Sequence, residues 1–125
     1  MTMENSFTSF ENLQKSIVEI AVEAWRFKRI YEKSLQKLDV IEQARYFSQF
    51  SWFGKKIYEA LENAGLKLIN VEGELFDVGM AVTPINLDEF EDSDELYIEQ
   101  MIEPIIMNAS QIVKTGTVVL GRKGK

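Results

Sequence analysis

The densest chemistry in the chain is a run of carboxylates, Asp88-Glu89-Phe90-Glu91-Asp92-Ser93-Asp94-Glu95. Carboxylate oxygens are what hard cations such as calcium and magnesium take as ligands. Paired carboxylates also hydrolyse glycosidic bonds when a pocket holds them at a set separation. The run lacks the alternating spacing and central glycine of a calcium loop, and no neighbouring pattern marks a pocket. It reads as a solvated acidic loop. Asp88, Glu91, Asp92 and Asp94 are therefore expected to lie exposed and to hold no metal. Other chemistry is removed by absence: the 125 residues contain no cysteine and no histidine. Disulfides, thiolate metal sites, thiol nucleophiles and the commonest general base go with them. The glycines are scattered, with no phosphate-cradling loop. The expectation is a protein that is not an enzyme and needs no cofactor.

Charge and hydropathy narrow the partners. The net charge of -6, concentrated between Asp88 and Glu103, would repel nucleic acid and anionic membrane, so neither is expected as a partner. Met1-Thr2-Met3-Glu4-Asn5 has no basic region with an apolar run behind it, so no signal peptide is expected. No apolar run reaches membrane-spanning length. A cytoplasmic location fits these features and the lack of cysteine.

The elements that would position any site change character once, near Gly65. In the first half, Phe10, Leu13, Ile17, Ile20, Ala24, Phe27, Tyr31 and Leu38 recur at spacings of three and four. That is the seam of a coiled coil or helical bundle. Ala21, Ile30 and Leu35 widen the seam towards a four-helix bundle. Val18, Val22 and Trp25 form a second stripe, and a helix with two apolar faces must touch two neighbours. Thr8 with Glu11 suggests a capping box at the start of this helix, and Asp39 with Glu42 a second one at the start of the next. The second helix spans 40–64, carries Tyr46, Phe47, Phe50, Trp52 and Phe53, and stops at Gly65, a residue suited to a left-handed helix end.

The second half reads as short strands: Leu66 to Val71, a turn at Glu72-Gly73-Glu74, Gly79 to Thr83 closed by Pro84, and Leu96 to Met107 interrupted by Pro104. Gln111 to Lys114 and Thr117 to Leu120 follow, with Gly116 as a bend. Close-spaced short strands imply a small antiparallel sheet or barrel-like domain, and without strand–helix alternation a doubly wound nucleotide fold is excluded. The fold expected is α+β: a two-helix hairpin, residues 1–65, forming a dimeric four-helix bundle, then a small antiparallel β domain, residues 66–125. The dimer core is expected at Phe10, Ile17, Ile20, Phe27, Phe47, Phe50 and Phe53, because two amphipathic helices cannot bury both stripes alone.

Several stretches of the chain are similar in order and spacing to the C-terminal part of the GrpE family, nucleotide exchange factors of DnaK-type chaperones. Tyr58-Glu59-Ala60-Leu61-Glu62-Asn63-Ala64-Gly65-Leu66 resembles the family's helix-to-strand entry, and Gly73-Glu74-Leu75-Phe76-Asp77 resembles its Gly-x-x-Phe-Asp. Lys114 falls where the motif Arg-Pro-Ala-x-Val-x-Val places its arginine, and Val118 and Leu120 match its closing apolar positions. Val78 stands where the family has proline after Asp, Met80 stands near its histidine, and Thr115-Gly116 replaces Pro-Ala. The long N-terminal stalk is missing, and so are the Gly-Tyr and Gly-Arg pairs of the penultimate hairpin. The resemblance implies a homodimeric co-chaperone that speeds nucleotide release from a DnaK-like ATPase. It places the partner-binding surface at Phe76, Asp77, Met80, Lys114 and Thr115. An unpartnered buried ammonium would be costly, so Lys114 is expected to reach the surface or an acid of the partner. The alternative is a structural interaction module of a larger complex, without exchange activity.

Overall fold

The computed structural model describes the backbone of residues 3–109 and 111–124, with side chains from residue 9 onward. The chain divides into two compact units, Met1–Ala64 and Gly65–Lys125. The architecture is α+β, with two N-terminal helices followed by two small sheets.

Helix α1 spans Met3–Leu35 and α2 spans Val40–Asn63. The boundary between them is set by local chemistry. Asp39, in extended conformation, accepts the Glu42 backbone N–H at 2.9 Å and so satisfies one of the free donors of the first turn. Removing that acceptor in Asp39→Ala should lower the stability of the helical unit by about 1 kcal/mol, read as a shift in its thermal melt. At the far end Ala64 N–H bonds back to Ala60 at 3.1 Å, and Gly65 takes φ +76°, the left-handed residue that ends the helix. The start of α1 differs from expectation. The helix already runs through Thr8, so no helix begins there, and the Thr8 side chain lies outside the described residues.

The two helices form an antiparallel hairpin. The Tyr31 ring stacks on Phe50 at 4.7 Å, and Phe27 meets Phe53 edge-on at 6.0 Å. Carrying that register along both helices sets Asn63 opposite about Val18. Roughly the first four turns of α1 therefore extend past the end of α2.

In the second unit the strands are β1 (Leu66–Ile69), β2 (Val82–Pro84), β3 (Leu96–Glu103), β4 (Ile105–Asn108), β5 (Gln111–Lys114) and β6 (Gly116–Arg122). One sheet has the order β1-β4-β5, antiparallel throughout; the other has the order β2-β6-β3. β3 with β4, and β5 with β6, behave as two long strands of one bent hairpin. Leu96 pairs with Arg122 near one end, Glu103 with Thr117 in the middle, and Asn108 with Gln111 at the turn. Each long strand passes between sheets over one residue, Pro104 or Thr115. Register shifts near Glu103 and Ile106 accompany the corner, as in strands that bend between packed sheets. A further shift between Ile98 and Gln100 changes which side chains face inward, so Ile98 and Met101 are both buried although three residues apart.

The antiparallel expectation fails for one strand. β2 runs parallel to β6, with Val82 opposite Gly116 and Pro84 opposite Val118. The strand is also shorter than expected, because Gly79, Met80 and Ala81 form a turn and bend leading into it. Proline lacks a donor, and β2 is an edge strand where that loss is tolerated. Beyond it the Asn86 side chain continues the ladder, donating to Leu120 O at 3.0 Å and accepting from Leu120 N at 2.9 Å. Gly116 opens β6 rather than forming a bend. Ile98, Met101, Pro104, Ile106, Val118 and Leu120 are the most deeply buried side chains of the unit.

Candidate functional site

On α1 the stripe expected to be secondary is the buried one: Val18, Val22 and Trp25 are all below a tenth exposed, as are Ala21 and Leu35 from the flank of the seam. The heptad seam is largely open. Phe10 is 62% exposed, Leu13 61%, Ile20 65% and Phe27 53%, and Ile17 is half-buried. On α2, Phe47 is 59% and Phe53 38% exposed, while Phe50 is buried under the Tyr31 ring. Six of the seven residues expected in a dimer core thus keep surface to offer, and Phe10 and Leu13 stand on the part of α1 that α2 does not reach. An isolated helix of that length is marginal in water, and large apolar side chains along it call for a covering surface.

Between the helices lies a groove of about 770 Å³, floored by Leu35, Phe47 and Phe50 and rimmed by Lys28, Glu32, Lys55 and Tyr58. The Lys28 ammonium sits 5.4 Å over the Tyr58 ring. Burial, and secondarily the Glu32 carboxylate, push the Tyr58 phenol above its ordinary value.

The β unit gathers the other expected residues around one turn. Met80 N–H donates to Asp77 O at 2.9 Å, Gly79 N–H to Asp77 Oδ1 at 3.3 Å, and Asp77 N–H approaches Met80 Sδ at 3.3 Å. Phe76 N–H bonds to Leu96 O at 2.9 Å, which fixes the entrance to this turn against β3. Gly116 N–H donates to Ala81 O at 2.9 Å, so the backbone after Met80 runs beside the backbone after Thr115. Phe76 and Met80 are half-buried, and Asp77 and Thr115 are exposed.

Lys114 is half-buried and has an acid beside it within the chain. Its Nζ lies 3.4 Å from Glu103 Oε1, which also accepts Thr117 Oγ1 at 2.8 Å. The partner was hidden because Glu103 is eleven residues upstream and reaches Lys114 only across the corner of the bent hairpin.

The acidic run is not uniformly exposed either. Asp88, Glu91 and Asp92 are exposed, but Asp94 is half-buried. Its Oδ2 accepts Glu91 N–H at 2.9 Å, and its Oδ1 lies 3.4 Å from Arg122 Nε. Lys123 reaches Glu95 at 3.8 Å. Arg122 and Lys123 thus neutralise one end of the acidic run. Among the described residues no cluster of acidic side chains converges as a cation site.

A second groove, about 480 Å³, lies between the Leu75–Val78 segment and the acidic loop. Leu75, Phe76, Val78, Leu87, Phe90 and Leu96 supply its apolar lining and Asp77, Glu91, Asp92, Asp94 and Glu95 supply acids; among the described residues no cation lines it, though Arg122 pairs with Asp94 and lies over the Phe90 ring. Sequence reasoning pointed to Phe76 and Asp77 but missed Leu87 and Phe90, whose only signal was an apolar residue beside the acidic run and another within it.

Among the described residues no helix is long and apolar enough to cross a membrane. No family model matches the chain, and no curated protein or solved structure matches it either.

Proposed function

We propose that the chain is a homodimeric adaptor that promotes nucleotide release from a DnaK-like ATPase by binding its nucleotide domain. The observation that carries the dimer is the open apolar seam of α1, where Phe10, Leu13, Ile20 and Phe27 are each more than half exposed. A second copy supplies two further helices and so the covering face. The exchange activity follows from the resemblance of the β unit's sequence to the GrpE family. In that reading Phe76, Asp77, Met80, Lys114 and Thr115 meet the ATPase, and the adaptor acts by binding its open form better than its closed form. No side chain of the adaptor need touch the nucleotide.

One observation favours the second reading, an interaction module without exchange activity. Lys114, at the family's arginine position, is engaged with Glu103 in its own chain. Release of a fluorescent ADP analogue from the DnaK-like ATPases of the same organism separates the two readings. Exchange activity should accelerate release at least about tenfold, an effect of about 1.4 kcal/mol on the barrier. Phe76→Ala with Met80→Ala should abolish the acceleration. A stable complex whose release rate is unchanged would sink the exchange reading and leave the module.

A further inference from the structure

The acid-rimmed groove of the β unit joins two properties that surfaces of soluble proteins usually keep apart. Val78 is 88% exposed, Leu75 51% and Leu87 46%, and all three face one depression. Scattered exposed aliphatics need no explanation, but a contiguous set inside a groove marks a place where something docks. Around them stand Asp77, Glu91 and Asp92, none of which is paired with a cation among the described residues. Two of the groove's five acids are met within the chain, Asp94 by Arg122 and Glu95 by Lys123, and the Arg122 guanidinium also lies over the Phe90 ring. The lining therefore combines apolar side chains with three acids, Asp77, Glu91 and Asp92, that no cation among the described residues offsets.

We infer that this groove takes a short extended segment of a partner protein, carrying lysine or arginine on either side of an aliphatic anchor. The anchor fills the space between Val78 and Leu87, and the flanking cations meet Asp77, Glu91 and Asp92. Complementary charge would set the register of the segment and speed its encounter, while burial of the anchor holds it. Pairing as an added strand on β3 is not available, because its outer edge is already taken: Ile98 N–H bonds to Glu74 O at 2.9 Å and Phe76 N–H to Leu96 O at 2.9 Å. Recognition is thus by side chains in a groove. The inference deepens the proposed function by naming the chemistry of the partner, and it rests on that reading only in taking the β unit as the gripping surface.

The test uses the full chain and three labelled heptapeptides: alternating lysine and leucine, alternating lysine and serine, and alternating glutamate and leucine. At physiological ionic strength, fluorescence anisotropy should show the lysine–leucine peptide binding about tenfold or more tightly than either of the others. Amide shifts on titration should concentrate at 75–78 and 87–96. Val78→Ser with Leu87→Ser, and separately Asp77→Asn with Glu91→Gln and Asp92→Asn, should each weaken binding about tenfold; circular dichroism melts would establish that both variants fold. Equal affinity for the lysine–leucine and lysine–serine peptides would reduce the effect to diffuse charge attraction and overturn the proposal. Shifts centred on the helical unit, or folded variants that bind unchanged, would also overturn it. The peptides contain no ATPase, so failed nucleotide exchange leaves the groove standing. Failed peptide binding in turn leaves the exchange assay to be judged by itself.

Discussion

A chain carrying Ile20→Glu and Phe27→Glu should elute at the mass of one 14.4 kDa copy, and the unaltered chain should elute at twice that mass. Light scattering coupled to gel filtration at micromolar concentration reads both. Ile20 is 65% and Phe27 53% exposed, and Phe27→Glu removes the ring contacts to Tyr31 and Phe53 but leaves Tyr31 stacked on the buried Phe50, so the single copy should still fold. In a dimer seam, by contrast, each glutamate would be desolvated without a partner, at a cost of several kcal/mol. Two-fold symmetry places every substitution at the interface twice. Dissociation should therefore rise by at least about a thousandfold, equivalent to roughly 4 kcal/mol. A second readout follows from the overhang of α1. Its first four turns have no α2 beside them, so helical signal at 222 nm should fall on dilution of the unaltered chain and be low at all concentrations in the double variant. A monomer mass for the unaltered chain would sink both the dimer and the adaptor built on it.

Gly116→Ala should cost the β unit about 1–3 kcal/mol, whereas Gly121→Ala should cost less than about 1 kcal/mol. Both glycines lie in β6, and an added methyl meets atoms at 2.7 Å in each case. The difference is in what must move. At Gly121 the obstacle is the Tyr97 ring, which is half-exposed and free to swing towards solvent. At Gly116 the methyl meets Met101 Cε at 2.7 Å, Glu103 O at 3.0 Å and Ile105 Cγ1 at 3.1 Å. Met101 is 1% and Ile105 4% exposed, so neither side chain has space to yield, and the carbonyl belongs to the strand paired with β6. Relief requires opening the corner at Pro104, where both sheets are joined. Thermal or urea unfolding of the two variants side by side decides the point. Equal losses would mean that the corner is softer than its packing suggests.

The helical boundaries were legible because the chemistry that sets them is local. Asp39 with Glu42 and the glycine at position 65 act within one turn, and the chain behaves there as its sequence reads. The start of α1 was misplaced because Thr8 and Glu11 satisfy a capping pattern that a continuing helix does not use. The two stripes of α1 were both visible, but not which of them the single chain buries, since periodicity carries no information about the neighbour. In the β unit the strands were found and their pairing was not. β2 pairs with β6 in parallel, and that choice depends on contacts between Val82 and Gly116 that no short window contains. Pro104 reads as an interruption, whereas in the structure it is the corner of a continuous strand pair. The candidate site was half legible for the same reason. Phe76 and Asp77 carry a local signature, while Asp94 with Arg122 and Lys114 with Glu103 are assembled only by the bent hairpin.

The order of the second sheet, β2-β6-β3, puts the last strand of the β unit at its centre. On the ribosome this sets a schedule. The helical hairpin is complete before any strand exists, and β2 and β3 then emerge with their ladder groups unmatched. At roughly 5–20 residues per second, Val82 waits on the order of seconds for Gly116 to be synthesised. During that interval the open strand edges, and the apolar side chains Ile98 and Met101 once they are made, face solvent or another nascent chain. The danger of misassembly is therefore governed by the pace of translation between Pro84 and Gly116 more than by the folding rate of the finished unit. Slow codons over that stretch would lengthen the exposure, and fast ones would shorten it.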